Sequence, residues 1–102
     1  MAWYTAECLY RSELPSSGAT EQLCEYRYFL LKADDDESAS EKARSIAKKK
    51  QHRYLNEKGE EVNWILEGVV DTKRVFSEEF TEEIEIYHRY FSRPVPNAPS
   101  VE

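Results

Sequence analysis

From Trp3 to Leu14 the chain alternates: Tyr4, Ala6, Cys8 and Tyr10 fall on one side, with Thr5, Glu7 and Arg11 on the other. A period of two over this length predicts a β-strand with one apolar face. Pro15-Ser16-Ser17-Gly18-Ala19 is dense in turn formers, so the chain is expected to reverse there. A second strand is predicted over residues 23–33, close enough to the first to form an antiparallel hairpin. Cys24, Tyr26, Tyr28 and Leu30 mark one of its sides, yet Phe29 and Leu31 add apolar bulk to the other. That two-sided character reads as a central strand whose last half is buried on both faces.

The period then changes. Ala39, Ala43, Ile46 and Ala47 recur at i, i+4, i+7 and i+8, the stripe of an amphipathic helix. Asp34-Asp35-Asp36-Glu37 suits its start, and Lys48-Lys49-Lys50 its end, because the helix dipole favours negative and then positive charge. A stripe made of Ala requires a close neighbour. His52 to Leu55 fits a short strand, and Asn56-Glu57-Lys58-Gly59 a turn. Val62 to Phe76 is a long strand whose phase is lost at Gly68, as a β-bulge would cause. Ile84, Ile86, His88 and Tyr90 alternate with Glu83, Glu85, Tyr87 and Arg89, which predicts a last strand.

The predicted order is β-β-α-β-β, with a minor strand inserted after the helix. This is an α+β fold: an antiparallel sheet of four to five strands with one helix packed on one face. Residues 1–92 are expected to form a single domain. Residues 93–102 hold three of the four prolines and are expected to be an extended tail outside the sheet. One helix cannot roof both sides of a sheet, so the far face must meet water or a partner.

Composition narrows the picture. The chain has 102 residues, enough for one core and too few for two. Aromatics make up 13%, well above what disordered chains carry. Fourteen Lys and Arg against twenty Asp and Glu give a net charge of −6, which repels phosphate backbones and counts against a dedicated nucleic-acid binder. No segment is long and apolar enough for a membrane span, and the first residues lack the build of a signal peptide. Two isolated Cys residues point to a cytoplasmic setting.

Several segments occur together: Trp3-Tyr4-Thr5-Ala6; Leu31-Lys32-Ala33-Asp34 running into Glu37-Ser38-Ala39-Ser40-Glu41-Lys42-Ala43; and the stretch from Tyr54 to Trp64. Gly68-Val69-Val70-Asp71 and Tyr87-His88-Arg89-Tyr90-Phe91 follow. As a set they resemble a family of small bacterial proteins known as domain of unknown function 4288. The resemblance spans residues 3–91 and implies a compact bacterial domain. It brings no catalytic residues with it.

No pattern specifies a reaction. Cys8 and Cys24, on neighbouring strands, fit small apolar residues better than a redox pair. With His52 and His88 they lack the paired spacing of a zinc site, so no metal or cofactor is expected. His88 alternates with apolar residues and reads as a core histidine rather than a general base. No Gly-rich phosphate loop or nucleophile elbow is present, and an enzyme is disfavoured. Lys48 to Arg53 is a basic helix end, for which a solvated terminus is the simpler reading than a nucleic-acid patch.

The favoured expectation is an acidic protein-interaction domain, of the inhibitor or immunity type, that masks a basic partner. A homodimer burying the same sheet face is the equal alternative. Tyr10, Tyr26, Tyr28, Tyr87 and Arg89 are the expected contacts, because Tyr offers large area at low entropy cost. Glu78, Glu79, Glu82, Glu83 and Glu85 would steer the encounter. A second reading is a small-molecule binder or small enzyme with a pocket between helix and sheet. Trp64, His88 and Tyr90, with Tyr28, would line it.

Overall fold

The computed structural model describes residues 1–14, 22–76, 79–87, 90 and 92–96. Four strands form one antiparallel sheet: β1 (Ala2–Glu13), β2 (Cys24–Ala33), β3 (His52–Leu55) and β4 (Glu61–Val75). The helix α1 (Asp36–Lys49) lies between β2 and β3 in sequence. The fold is therefore α+β, and the spatial order of strands is β2-β1-β4-β3. No helix among the described residues is long and apolar enough to cross a membrane.

The helix forms where its stripe and caps require. Asp35 is extended and its carboxylate accepts the Ser38 amide at 2.7 Å, satisfying one of the free N–H groups of the first turn. Ala39, Ala43 and Ala47 are fully buried. They pack on Tyr4, Ala6, Cys8 and Tyr10 of β1, with Leu31 and Ala33 of β2 and Val62 and Trp64 of β4 in the same core. The Tyr10 hydroxyl donates to the Ala47 carbonyl at 2.6 Å, which ties the end of the helix to the central strand.

Strand β4 runs the length of the sheet beside β1. Its register slips twice, once between Glu7↔Asp71 and Cys8↔Val69 and again between Leu9↔Gly68 and Tyr10↔Leu66. Gly68 stands between the two irregularities, so the lost phase is a pair of bulges. Beyond the last β3–β4 pair, the Gln51 side chain accepts the Leu66 amide at 2.9 Å in place of a strand neighbour. The β3–β4 turn is closed by Asn56, whose Oδ1 accepts the amides of Lys58 and Glu60. Gly59 supplies the positive φ of 76°.

Two expectations need correction. Among the described residues β2 lies at the edge of the sheet and β1 is central. The two-sided bulk of β2 arises because Leu31 enters the core while Tyr26, Tyr28 and Leu30 stay half exposed on the other face. The alternating segment from Ile84 forms no strand in residues 84–87 or at Tyr90. Phe80 and Tyr87 meet residues of the helix-free face instead. The turn expected at Pro15 to Ala19 lies outside the described residues, and residues 92–96 carry no strand.

Candidate functional site

The face of the sheet away from the helix is the chemically mixed one. Directly opposed residues of an antiparallel pair share a face. The register therefore places Trp3, Thr5, Glu7 and Leu9 of β1 there, beside Lys32, Leu30, Tyr28 and Tyr26 of β2 and Val75, Lys73, Asp71 and Gly68 of β4. At its centre Glu7 is only 1% exposed. The Tyr28 hydroxyl donates to its carboxylate at 2.5 Å, a charge-assisted hydrogen bond that offsets part of the loss of water. Asp71 stands opposite Glu7 in register, with the Lys73 ammonium 3.8 Å from the Asp71 carboxylate.

This face is partly closed by the chain itself. The Phe80 ring meets Trp3 at a centroid distance of 5.0 Å, and Tyr87 meets Tyr28 edge-on at 5.5 Å. The Lys32 ammonium lies 4.6 Å from the centre of the Trp3 ring. Residues 79–87 thus clasp the sheet by two aromatic contacts, with Thr5, Glu7 and Val75 buried on the face below. The far face is therefore not left wholly to water or a partner. The Tyr87 hydroxyl is buried with no hydrogen-bond partner among the described residues.

What stays open is a row on β2: Tyr26 is 55% exposed, Tyr28 56% and Leu30 49%. Glu79, Glu82, Glu83 and Glu85 are exposed on the segment that crosses the same face. Tyr10 does not belong to this surface: β1 turns it toward α1, where it is fully buried with Arg27 stacked over its ring. Glu78 and Arg89 lie outside the described residues.

Along the described part of the seam between helix and sheet, Ala39, Ala43 and Ala47 are fully buried against the strands. Trp64 is buried in that core, Tyr28 faces the opposite side and Tyr90 is 85% exposed. His88 lies outside the described residues. An open groove of about 520 Å³ sits where the helix start meets the end of β4, lined by Tyr4, Asp34, Asp35, Asp36, Thr72 and Arg74 among others. Burial, and then the charge of Asp36, raise the Tyr4 phenol above its ordinary value. The Ser38 amide holds the Asp35 carboxyl below its usual range.

Cys8 and Cys24 are on opposite faces, since Cys8 pairs with Arg27 toward the helix and Cys24 with Arg11 away from it. Burial, and then Glu7, raise the Cys8 thiol. Lys48, Lys49, Lys50, His52 and Arg53 are exposed at the helix end and β3, with Arg53 3.3 Å from Glu61.

Glu7, Trp3 and Leu30 of the helix-free face were not among the expected contacts. Alternation does place Glu7 away from the core. Nothing in a period of two shows that a segment more than seventy residues later will cover it.

No curated protein and no solved structure matches the chain. The family comparison does identify it. Residues 3–88 match the domain of unknown function DUF4288, a span that holds the sheet from Trp3 onward, the helix and the clasping segment, and the chain belongs to that family.

Proposed function

We propose that this chain is a non-catalytic protein-interaction domain that binds through the helix-free face of its sheet. The observation that carries the reading is the row Tyr26, Tyr28 and Leu30. These large side chains stand half exposed at every second position of an edge strand. Tyr and Leu so placed supply apolar contact area already held rigid by the sheet, which lowers the entropy lost on binding.

The acidic side chains Glu79, Glu82, Glu83 and Glu85 are exposed on the segment whose Tyr87 meets Tyr28, and favour a basic partner. Their field raises the association rate of a positively charged protein and penalises an acidic one. A domain with this charge can act by occlusion, as an inhibitor or immunity-type protein seated over the basic site of a toxin or nuclease. A cytoplasmic, bacterial setting accords with free Cys8 and Cys24 on opposite faces and with the resemblance noted in the sequence.

The test is capture from an extract of the source cells with tagged wild-type chain and with Leu30→Glu. The variant alters one exposed residue and is checked for an unchanged circular-dichroism spectrum. The expected result is a protein retained by wild type, lost with Leu30→Glu, and weakened by salt. Capture of the same proteins by both chains would exclude this face as the binding surface.

A further inference from the structure

The corner where α1 runs into β3 gathers positive charge beside two exposed rings. Lys48 and Lys49 close the helix, and Lys50 is its C-cap, with its backbone N–H directed to the Ala47 and Lys48 carbonyls. The Gln51 amide reaches the Lys48 carbonyl at 3.3 Å, while its side chain accepts the Leu66 amide at 2.9 Å. The connection is thereby tied to both helix and β4, which fixes the backbone that carries the lysines. In β3, His52 and Tyr54 stand opposite Trp64 and Val62, so both belong to the helix side of the sheet. Among the described residues α1 packs on β1, β2 and β4 and leaves β3 uncovered, and both rings are exposed. They are near-parallel, at 20° and 6.0 Å between centroids, with His52 Nδ1 3.2 Å from the Lys50 carbonyl.

The charge exceeds what a helix end requires. The C-terminal dipole amounts to about half a negative charge, against three ammonium groups. Among the described residues no carboxylate pairs with Lys48, Lys49 or Lys50. Nor does the net charge of −6 cancel them. Asp34, Asp35, Asp36 and Glu37 gather at the other end of α1, which for a helix of 14 residues is about 21 Å away. That is more than twice the Debye length of about 8 Å at physiological ionic strength. Glu57 and Glu60 sit with Lys58 in the turn beyond β3.

Cations alone would suit any polyanion; the rings narrow the choice. We propose that this corner binds single-stranded nucleic acid, with bases stacked on His52 and Tyr54 and phosphates met by Lys48, Lys49 and Lys50. Every base has a π face, so such stacking needs no particular sequence, and cations beside the rings follow the backbone. A duplex keeps its bases paired and offers the corner phosphates only. An anionic lipid surface fits worse, because Leu55, the exposed aliphatic residue of β3, alternates onto the opposite face.

The test is fluorescence anisotropy of a short labelled oligouridine titrated with the full chain. Binding is expected at low salt, with a log–log salt slope of roughly −2, since each phosphate contact with a single strand contributes about −0.7. Tyr54→Ala is expected to bind about tenfold more weakly at an unchanged slope, the loss of one stacked base. Tyr54→Phe keeps the ring and is expected to bind as wild type does. Lys49→Ala is expected to flatten the slope by about 0.7. Each variant is checked for an unchanged circular-dichroism spectrum. No anisotropy change at low salt, equal affinity for a duplex of the same length, or undiminished binding by Tyr54→Ala would overturn the proposal. So would sedimentation with phosphatidylserine vesicles in place of oligouridine binding, which would assign the lysines to a membrane surface. None of these outcomes touches partner binding through the helix-free face, so the two proposals fail separately.

Discussion

Three tyrosine hydroxyls in this molecule have different surroundings, and removing them does not have one sign. The Tyr10 hydroxyl donates to the Ala47 carbonyl, which also accepts the Lys50 amide, so Tyr10→Phe removes one of the two hydrogen bonds to that acceptor. Tyr28→Phe removes a charge-assisted hydrogen bond from the buried Glu7 carboxylate. Tyr10→Phe is expected to lower unfolding free energy by about 0.5–1.5 kcal/mol and Tyr28→Phe by about 1.5–3 kcal/mol, the net worth of a hydrogen bond to a neutral and to a charged acceptor. Tyr87→Phe removes a buried hydroxyl that has no partner among the described residues, and is expected to be neutral or stabilising. Urea denaturation of the three variants checks the ordering, and a marked loss in Tyr87→Phe would contradict it.

Asp35 adds a pH dependence. Its carboxyl sits below the ordinary value of 3.8 because the folded helix end hydrogen-bonds the charged form. A depressed carboxyl contributes stability that is fully present above its unfolded pKa and lost as pH falls through the folded one. Asp35→Ala is therefore expected to melt below wild type at neutral pH, with the gap narrowing below 3.8. Thermal melts across that range test the sign.

At the scale of elements, the two described glycines of the β3–β4 region separate two reasons for using glycine. Gly59 holds a φ of 76°, which an L side chain resists, so Gly59→Ala is expected to cost about 1 kcal/mol and to loosen the hairpin. Gly68 has no positive φ, and a Cβ there would meet nothing within 4 Å. Gly68→Ala is expected to stabilise by about 0.4–1 kcal/mol, because it restricts the unfolded chain without strain. If both substitutions cost the same, the bulges beside Gly68 depend on its freedom after all. Much of this scale was legible in the chain. The alanine stripe, the Asp and Lys ends of α1, the apolar side of β1 and the turn before Gly59 were each encoded within a dozen residues, where local period and capping chemistry decide.

At the scale of the whole molecule, the clasp is the feature to test. Phe80 covers Trp3, whereas Trp64 is buried on the helix side. Phe80→Ala is expected to open the Trp3 ring to water, shifting its emission to the red and increasing its quenching by acrylamide, while the helix signal stays unchanged. Unaltered emission would show that residues 79–87 do not hold this face in solution.

The chain by itself determined the kind of fold, the order of its elements and the seam between helix and sheet, because periods of two and near four record which side of each element avoids water. It could not say that β2 lies at the edge. Its two-sided apolar pattern looks the same whether the second side is covered by a neighbour or left for one. Nor could it say that Glu7 is buried or that Tyr10 is sealed away from any partner. The first depends on a segment distant in sequence, the second on which side of the sheet the helix takes. Those choices rest on contacts between residues far apart along the chain, and only tertiary packing makes them.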